Sequence, residues 1–193
     1  MKKLAVMLAA VMAIAITGCG DSSTHTALAT FVARGSSDSY APHLYTLDEK
    51  TQKSTAVAIS IPTNADYIAA NSDATAVAYC YDPGTGSYEI FFMGKDGVEK
   101  QLTTGANACE ATFSPDGKTI AYVSIVSESY AEIFTMNVDG SNQKALDAAD
   151  AGAFDQLMPQ FSPDGKSVVF YAEMLVANSP ARIQRHNAHR VSP

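Results

Sequence analysis

One stretch of this chain is written almost twice. Phe113-Ser114-Pro115-Asp116-Gly117-Lys118-Thr119-Ile120-Ala121-Tyr122 returns 48 residues on as Phe161-Ser162-Pro163-Asp164-Gly165-Lys166-Ser167-Val168-Val169-Phe170. A degraded copy, Ala70-Asn71-Ser72-Asp73-Ala74-Thr75-Ala76-Val77-Ala78-Tyr79, stands 43 residues before the first. A repeat at roughly 40 to 50 residues constrains the fold severely, because one such unit cannot bury its own apolar faces and must stack on its neighbours.

A second element follows each turn motif. Glu132-Ile133-Phe134-Thr135-Met136 is preceded by Glu89-Ile90-Phe91-Phe92-Met93 and by His43-Leu44-Tyr45-Thr46-Leu47, and each leads into a turn-forming stretch and a third short run. The apolar runs are rich in Val, Ile, Tyr, Phe and Thr and only about five residues long, which predicts strands, not helices. In Ser-Pro-Asp-Gly-Lys, Pro presets φ for the first central position, Asp accepts a local backbone hydrogen bond and Gly supplies the positive φ that closes a tight hairpin. Asp116 and Asp164 are therefore turn residues before they are ligands. Asn71-Ser72-Asp73-Ala74 lacks both Pro and Gly, so its turn is expected to differ in geometry. The predicted unit is a four-stranded sheet, and tandem units of this size are the pattern of β-propeller blades.

Phe-Ser-Pro-Asp-Gly-Lys, an apolar strand and then Ile-Phe-x-Met-x-x-Asp-Gly resemble the repeat of the TolB-type, WD-like β-propeller. The resemblance covers residues 66 to 172 well and 28 to 60 loosely. It implies an all-β fold over residues 28 to 176, and counting second elements gives three blades and a fourth begun at Gln160. A closed ring generally needs four or more blades, so the expectation is a partial, truncated propeller of three to four blades. An irregular tail is expected over 177–193, where Arg182, Arg185 and Arg190 cluster with His186 and His189.

The chain opens on Lys2 and Lys3, an uncharged apolar run from Leu4 to Ile16, and Thr17-Gly18-Cys19. This is the order of a secretory signal. Thirteen apolar residues as a helix reach only about 20 Å, short of the roughly 30 Å bilayer core. Ile16-Thr17-Gly18-Cys19 resembles a bacterial lipobox, which implies a signal peptide over 1–18, lipidation of Cys19 and a polar tether over 19–27. Two or more acyl chains hold a protein firmly at a membrane. Gly20 after the cysteine implies, by the enterobacterial sorting pattern, the outer membrane facing the periplasm.

Without residues 1 to 18, 175 residues remain, with 11 basic side chains against 20 acidic ones. Such a surface repels phosphates, so nucleic-acid binding is disfavoured and membrane attachment rests on lipid. Cys80 and Cys109 are an even pair in a compartment where disulfides persist; a bridge or two small buried thiols both fit the sequence. His25, His186 and His189 lack further ligands nearby, so no metal or cofactor is expected. No Gly-x-Ser-x-Gly elbow, His-Glu-x-x-His or phosphate-binding loop occurs. Glu128 with Glu132 and Asp147 with Asp150 read as solvated surface, and no catalytic residue is assigned.

Two functions follow from the resemblance. In the first, the propeller is a non-enzymatic module binding an envelope protein or peptide through its longest loops, Asp82 to Tyr88 and Ser124 to Tyr130, with Tyr88 and Tyr130 as contact residues. In the second, it is an inactive fragment of a propeller-bearing enzyme, either a prolyl-oligopeptidase-like hydrolase or an oligogalacturonate lyase. The hydrolase would need a further domain and the lyase several ring histidines, where only His43 lies within the repeats. An open ring exposes sheet faces and edges, so self-association is expected.

Overall fold

A computed structural model describes residues 28–34, 42–48, 51–127, 130–146, 153–175 and 182–190. The signal, Cys19 and the tether lie outside the described residues. Those described form strands and turns and no helix. A first sheet joins β1 (Leu28–Arg34), β2 (Pro42–Asp48) and β3 (Lys53–Ala56); a second joins β4 (Asp66–Ala70), β5 (Ala76–Tyr81), β6 (Glu89–Gly94) and β7 (Glu99–Gln101). A third comprises β8 (Ala108–Phe113), β9 (Thr119–Ser127), β10 (Tyr130–Asn137) and β11 (Lys144–Ala145), and a fourth β12 (Ala153–Phe161), β13 (Ser167–Leu175) and β14 (Arg182–Arg190). Within each sheet every neighbour is antiparallel; a single parallel pairing, Ala131 with Asp155, fastens the third sheet to the fourth.

Strand alternation explains the stacking. In β5, Val77 and Tyr79 face Leu44, Ile59 and Ile61 of the preceding unit, while Ala76, Ala78 and Cys80 face Ala108, Phe113, Ile120 and Tyr122 of the next. In β9, Ile120 and Tyr122 face backward, and Ala121 faces forward to Val168, Phe170 and Ala172. Each inner sheet is thus buried on both faces, which is why its central strands read as nearly unbroken apolar runs. Three cores in succession, one per gap between sheets, make a partial β-propeller.

The two matched turns are near copies. Ser114 Oγ and Ser162 Oγ accept the amides of Thr119 and Ser167 at 2.9 and 3.0 Å, and both hydroxyls donate to the following Asp at 2.6 Å. Gly117 and Gly165 take φ of 69° and 70°, where a side chain is disfavoured. The degraded turn adopts the same geometry, contrary to the expectation. The amide of Ala74 donates to the Asn71 carbonyl at 3.0 Å, as those of Gly117 and Gly165 do to Ser114 and Ser162, and Ala74 accepts φ of 55°. Asn71 Oδ1 replaces the serine hydroxyl, taking the amides of Thr75 and Ala76 at 2.8 and 2.9 Å. Burial of Ala74 in the core and the Asn71 cap together outweigh the strain of an L residue at positive φ.

A second repeated feature left no sequence signature that we identified. Tyr67, Glu110 and Met158, spaced as the turn motifs are, take φ of 45°, 53° and 54° at register shifts in β4, β8 and β12. The first strand of the second, third and fourth sheets is therefore bulged, which bends it and increases its twist. Two expectations are corrected. Residues 182–190 are not irregular but pair with β13 along their whole length, because an open strand edge offers unpaired amides and carbonyls to any extended segment. Ser124 to Ser127, expected in a loop, continue β9.

Candidate functional site

The up-and-down strand order sends two kinds of connection to opposite ends of the sheets. At one end, the turn rim, the first hairpin and the third-to-fourth hairpin of a unit meet, as where the Val138 amide donates to the Lys118 carbonyl at 3.1 Å. At the other end, the loop rim, the second-to-third loops lie beside the connectors between units. There the amide of Ala108 donates to the Tyr88 carbonyl at 2.7 Å, and that of Ile125 to the Asn107 carbonyl at 3.1 Å.

Tyr88 and Tyr130 both lie on this loop rim, at the entries to β6 and β10, one position out of register with each other: matching Glu89 to Glu132 sets Tyr88 against Ala131 and Tyr130 against Ser87. Tyr88 is 42% exposed; Tyr130 is half-buried, its hydroxyl donating to the Glu132 carboxylate. Glu132 is therefore engaged and partly buried, a correction to its reading as solvated surface; Glu128, Asp147 and Asp150 lie outside the described residues. Ile125 and Val126, 48% and 54% exposed, stand on the same rim. Asn107 joins them to Tyr88: its side-chain oxygen accepts the Tyr88 amide at 3.4 Å and its carbonyl accepts that of Ile125. The available signal was an apolar pair, Ile125-Val126, continuing past the point where its strand was expected to end.

The rim is held from beneath by a residue that sequence reasoning treated only as the head of a strand. Glu89 is buried, and its carboxylate accepts the Thr103 hydroxyl at 2.7 Å and the Gly105 amide at 2.6 Å. Charge-assisted bonds of this kind are the stronger class, and these fix the connector that carries Asn107. Burial, with the nearby Glu89 charge adding to it, pushes the Tyr122 hydroxyl up to about 12. In the next loop, Asp82 Oδ1 accepts the amides of Gly84, Thr85 and Gly86 at 2.8, 2.9 and 3.0 Å. These bonds, that from Gly84 foremost, hold its carboxyl below the ordinary range.

Cys80 on β5 and Cys109 on β8 are joined by a disulfide, with Cα atoms 5.3 Å apart. The bridge crosses the gap between the second and third sheets, beside the same connector. A depression of about 280 Å³ lined by Pro42, His43 and Val57 to Ile61 also lies toward the loop rim, at the first sheet. Among the described residues no three His, Cys, Asp or Glu side chains gather as a metal ion would require.

No protein-family profile and no curated protein sequence matches the chain. Solved structures do. A protein assigned as TolB from Agrobacterium tumefaciens is 22% identical with a TM-score of 0.60, over 84% of this chain and 57% of that one. TolB from Acinetobacter baumannii is 18% identical with a TM-score of 0.57, over 86% and 41%. The β-propeller domain of the Trilobed protease from Pyrococcus furiosus, described as having an open velcro topology, is 9% identical with a TM-score of 0.52, over 89% and 53%. This chain thus spans little more than half the length of these structures at most. Stacked antiparallel sheets of three or four strands, repeated turns and these similarities together make the fold a partial β-propeller, similar to that of the TolB structures.

Proposed function

We propose that the protein is a membrane-anchored lipoprotein of the bacterial cell envelope whose propeller binds another protein or a peptide through its loop rim, without catalysis of its own. One observation carries the reading: Tyr88 and Ile125, both substantially exposed, are tied through Asn107 on a connector braced by buried Glu89, and exposed Val126 follows Ile125 in the chain. An exposed apolar group on a rigid, hydrogen-bonded support is the arrangement interfaces use. The lipobox at Ile16 to Cys19 supports the anchor, and the Cys80–Cys109 bridge suits an oxidising compartment.

The test is capture of envelope partners by cross-linking to the tagged protein in its native membrane. Replacing Tyr88 and Tyr130 together by alanine is expected to lower recovery of specific partners at least severalfold while leaving the fold intact by circular dichroism. Undiminished recovery would remove these loops from the binding surface. Intact-mass measurement of the membrane-extracted protein should show loss of residues 1–18 and an acylated Cys19; an unmodified cysteine would remove the anchor.

A further inference from the structure

The loop rim lacks something that the opposite rim has in quantity. Every lysine among the described residues belongs to the turn rim or the strand half beside it. Lys53 pairs with Asp48 at a hairpin end, and Lys95, Lys118 and Lys166 sit in the turns themselves. Lys100 Nζ donates to the Asp139 carbonyl of the next turn at 2.7 Å, and Lys144 lies opposite Thr135, near the end of β10. The loop rim presents Tyr88, Ile125 and Val126 with the carboxylates of Asp82 and Glu132 around them. Three amides, that of Gly84 foremost, stabilise the charge of Asp82 and hold its carboxyl below the ordinary range.

We propose that the occupant of this rim is a cationic peptide segment, one carrying Lys or Arg between apolar side chains. The inference rests on the binding reading above and adds the partner's chemistry to it. Apolar side chains of the segment would cover Tyr88, Ile125 and Val126, and its cations would meet the Asp82 and Glu132 carboxylates of the second and third sheets, where no lysine among the described residues stands at this end. The arginines at the loop-rim ends of strands, Arg34 and Arg182, belong to the first and fourth sheets. Electrostatic complementarity of this sort sets specificity and encounter rate more than raw affinity. The membrane is the less suited occupant. Leu28, where the tether enters β1, pairs with Asp48 at the turn rim. A lipid on Cys19 would be carried by a segment that enters the fold at the turn rim, the end opposite Tyr88, Ile125 and Val126.

The probes are a synthetic peptide of alternating lysine and leucine, its glutamate-leucine counterpart, and vesicles containing anionic lipid. Affinities are measured on the full-length purified protein, on Tyr88→Ser/Ile125→Ser, on Asp82→Asn/Glu132→Gln, and on the turn-rim control Val98→Ser. The lysine peptide is expected to bind, more weakly as salt rises, with about tenfold loss in each loop-rim variant and none in the control. Binding of the glutamate peptide, lost in Tyr88→Ser/Ile125→Ser, would overturn the cationic assignment while leaving the rim as the binding surface. Peptide binding equally reduced by Val98→Ser, or absent for both peptides, would overturn the rim itself. Vesicle binding lost on Tyr88→Ser/Ile125→Ser would transfer the rim to the membrane and overturn the proposal.

Discussion

Three carboxylates show how little of a residue's role its charge reveals. Asp116 and Asp164 were readable as turn formers because Pro and Gly flank them, and they hold their own turns by hydrogen bonds to Ser and Lys. Glu89 has the same charge and no such neighbours, and only its burial against Thr103 and Gly105 shows what it does. Its charge also reaches Tyr122, whose hydroxyl burial raises from 10.0 to about 12. The native state therefore holds this proton more tightly than the unfolded chain, so the associated stability is complete below pH 10 and is lost as pH rises through 12. Tyrosinate absorbance and unfolding followed together across that window should show the coupling, and Tyr122→Phe should flatten that part of the pH profile. An unchanged slope in the variant would place the alkaline sensitivity elsewhere.

Among elements, the strands were legible and their pairing partners only partly so. Hairpins within a unit follow from turn chemistry, because Ser114 to Thr119 closes on itself without help from elsewhere. Bulges in β4, β8 and β12 did not follow, since Tyr67, Glu110 and Met158 share no side-chain character and the distortion arises from packing. Glu110 illustrates this: its carboxylate accepts the Met158 amide of the next unit at 2.7 Å. The disulfide cross-links the second and third sheets. It closes a loop of 29 residues, which corresponds to about 3.5 kcal/mol on the chain-entropy account. Cys80→Ala/Cys109→Ala should lower unfolding free energy by that order in urea titration, and reduction of the native protein should do the same. A loss below about 0.5 kcal/mol would mean that the bridge adds nothing beyond the core around it.

The molecule as a whole is a succession of sheets whose outer edges and outer faces differ. β3, β7 and β11 are only 4, 3 and 2 residues long, exposed, and all carry lysine, features that discourage edge pairing. The fourth sheet presents the opposite case. Val168, Phe170 and Ala172 are buried against the third, whereas Val169 between them is 39% exposed. Self-association is therefore expected to run through sheet faces. Light scattering should show mass rising with concentration, and Val169→Asp should suppress that rise. A monomer at every concentration would show that the face is not adhesive.

By itself the sequence determined the strands, the serine-proline-aspartate-glycine turns and the stacking of repeated units, because backbone preference and apolar alternation act over a few residues and are written where they act. It also carried Ile125 and Val126, without showing that they border Tyr88. The tertiary structure alone decided that Ala74 takes a glycine's place, that Cys80 meets Cys109, that Glu89 is interior and that lysines gather at one rim. Each of these depends on which residues distant in the chain become neighbours, and that is settled by packing one sheet on the next.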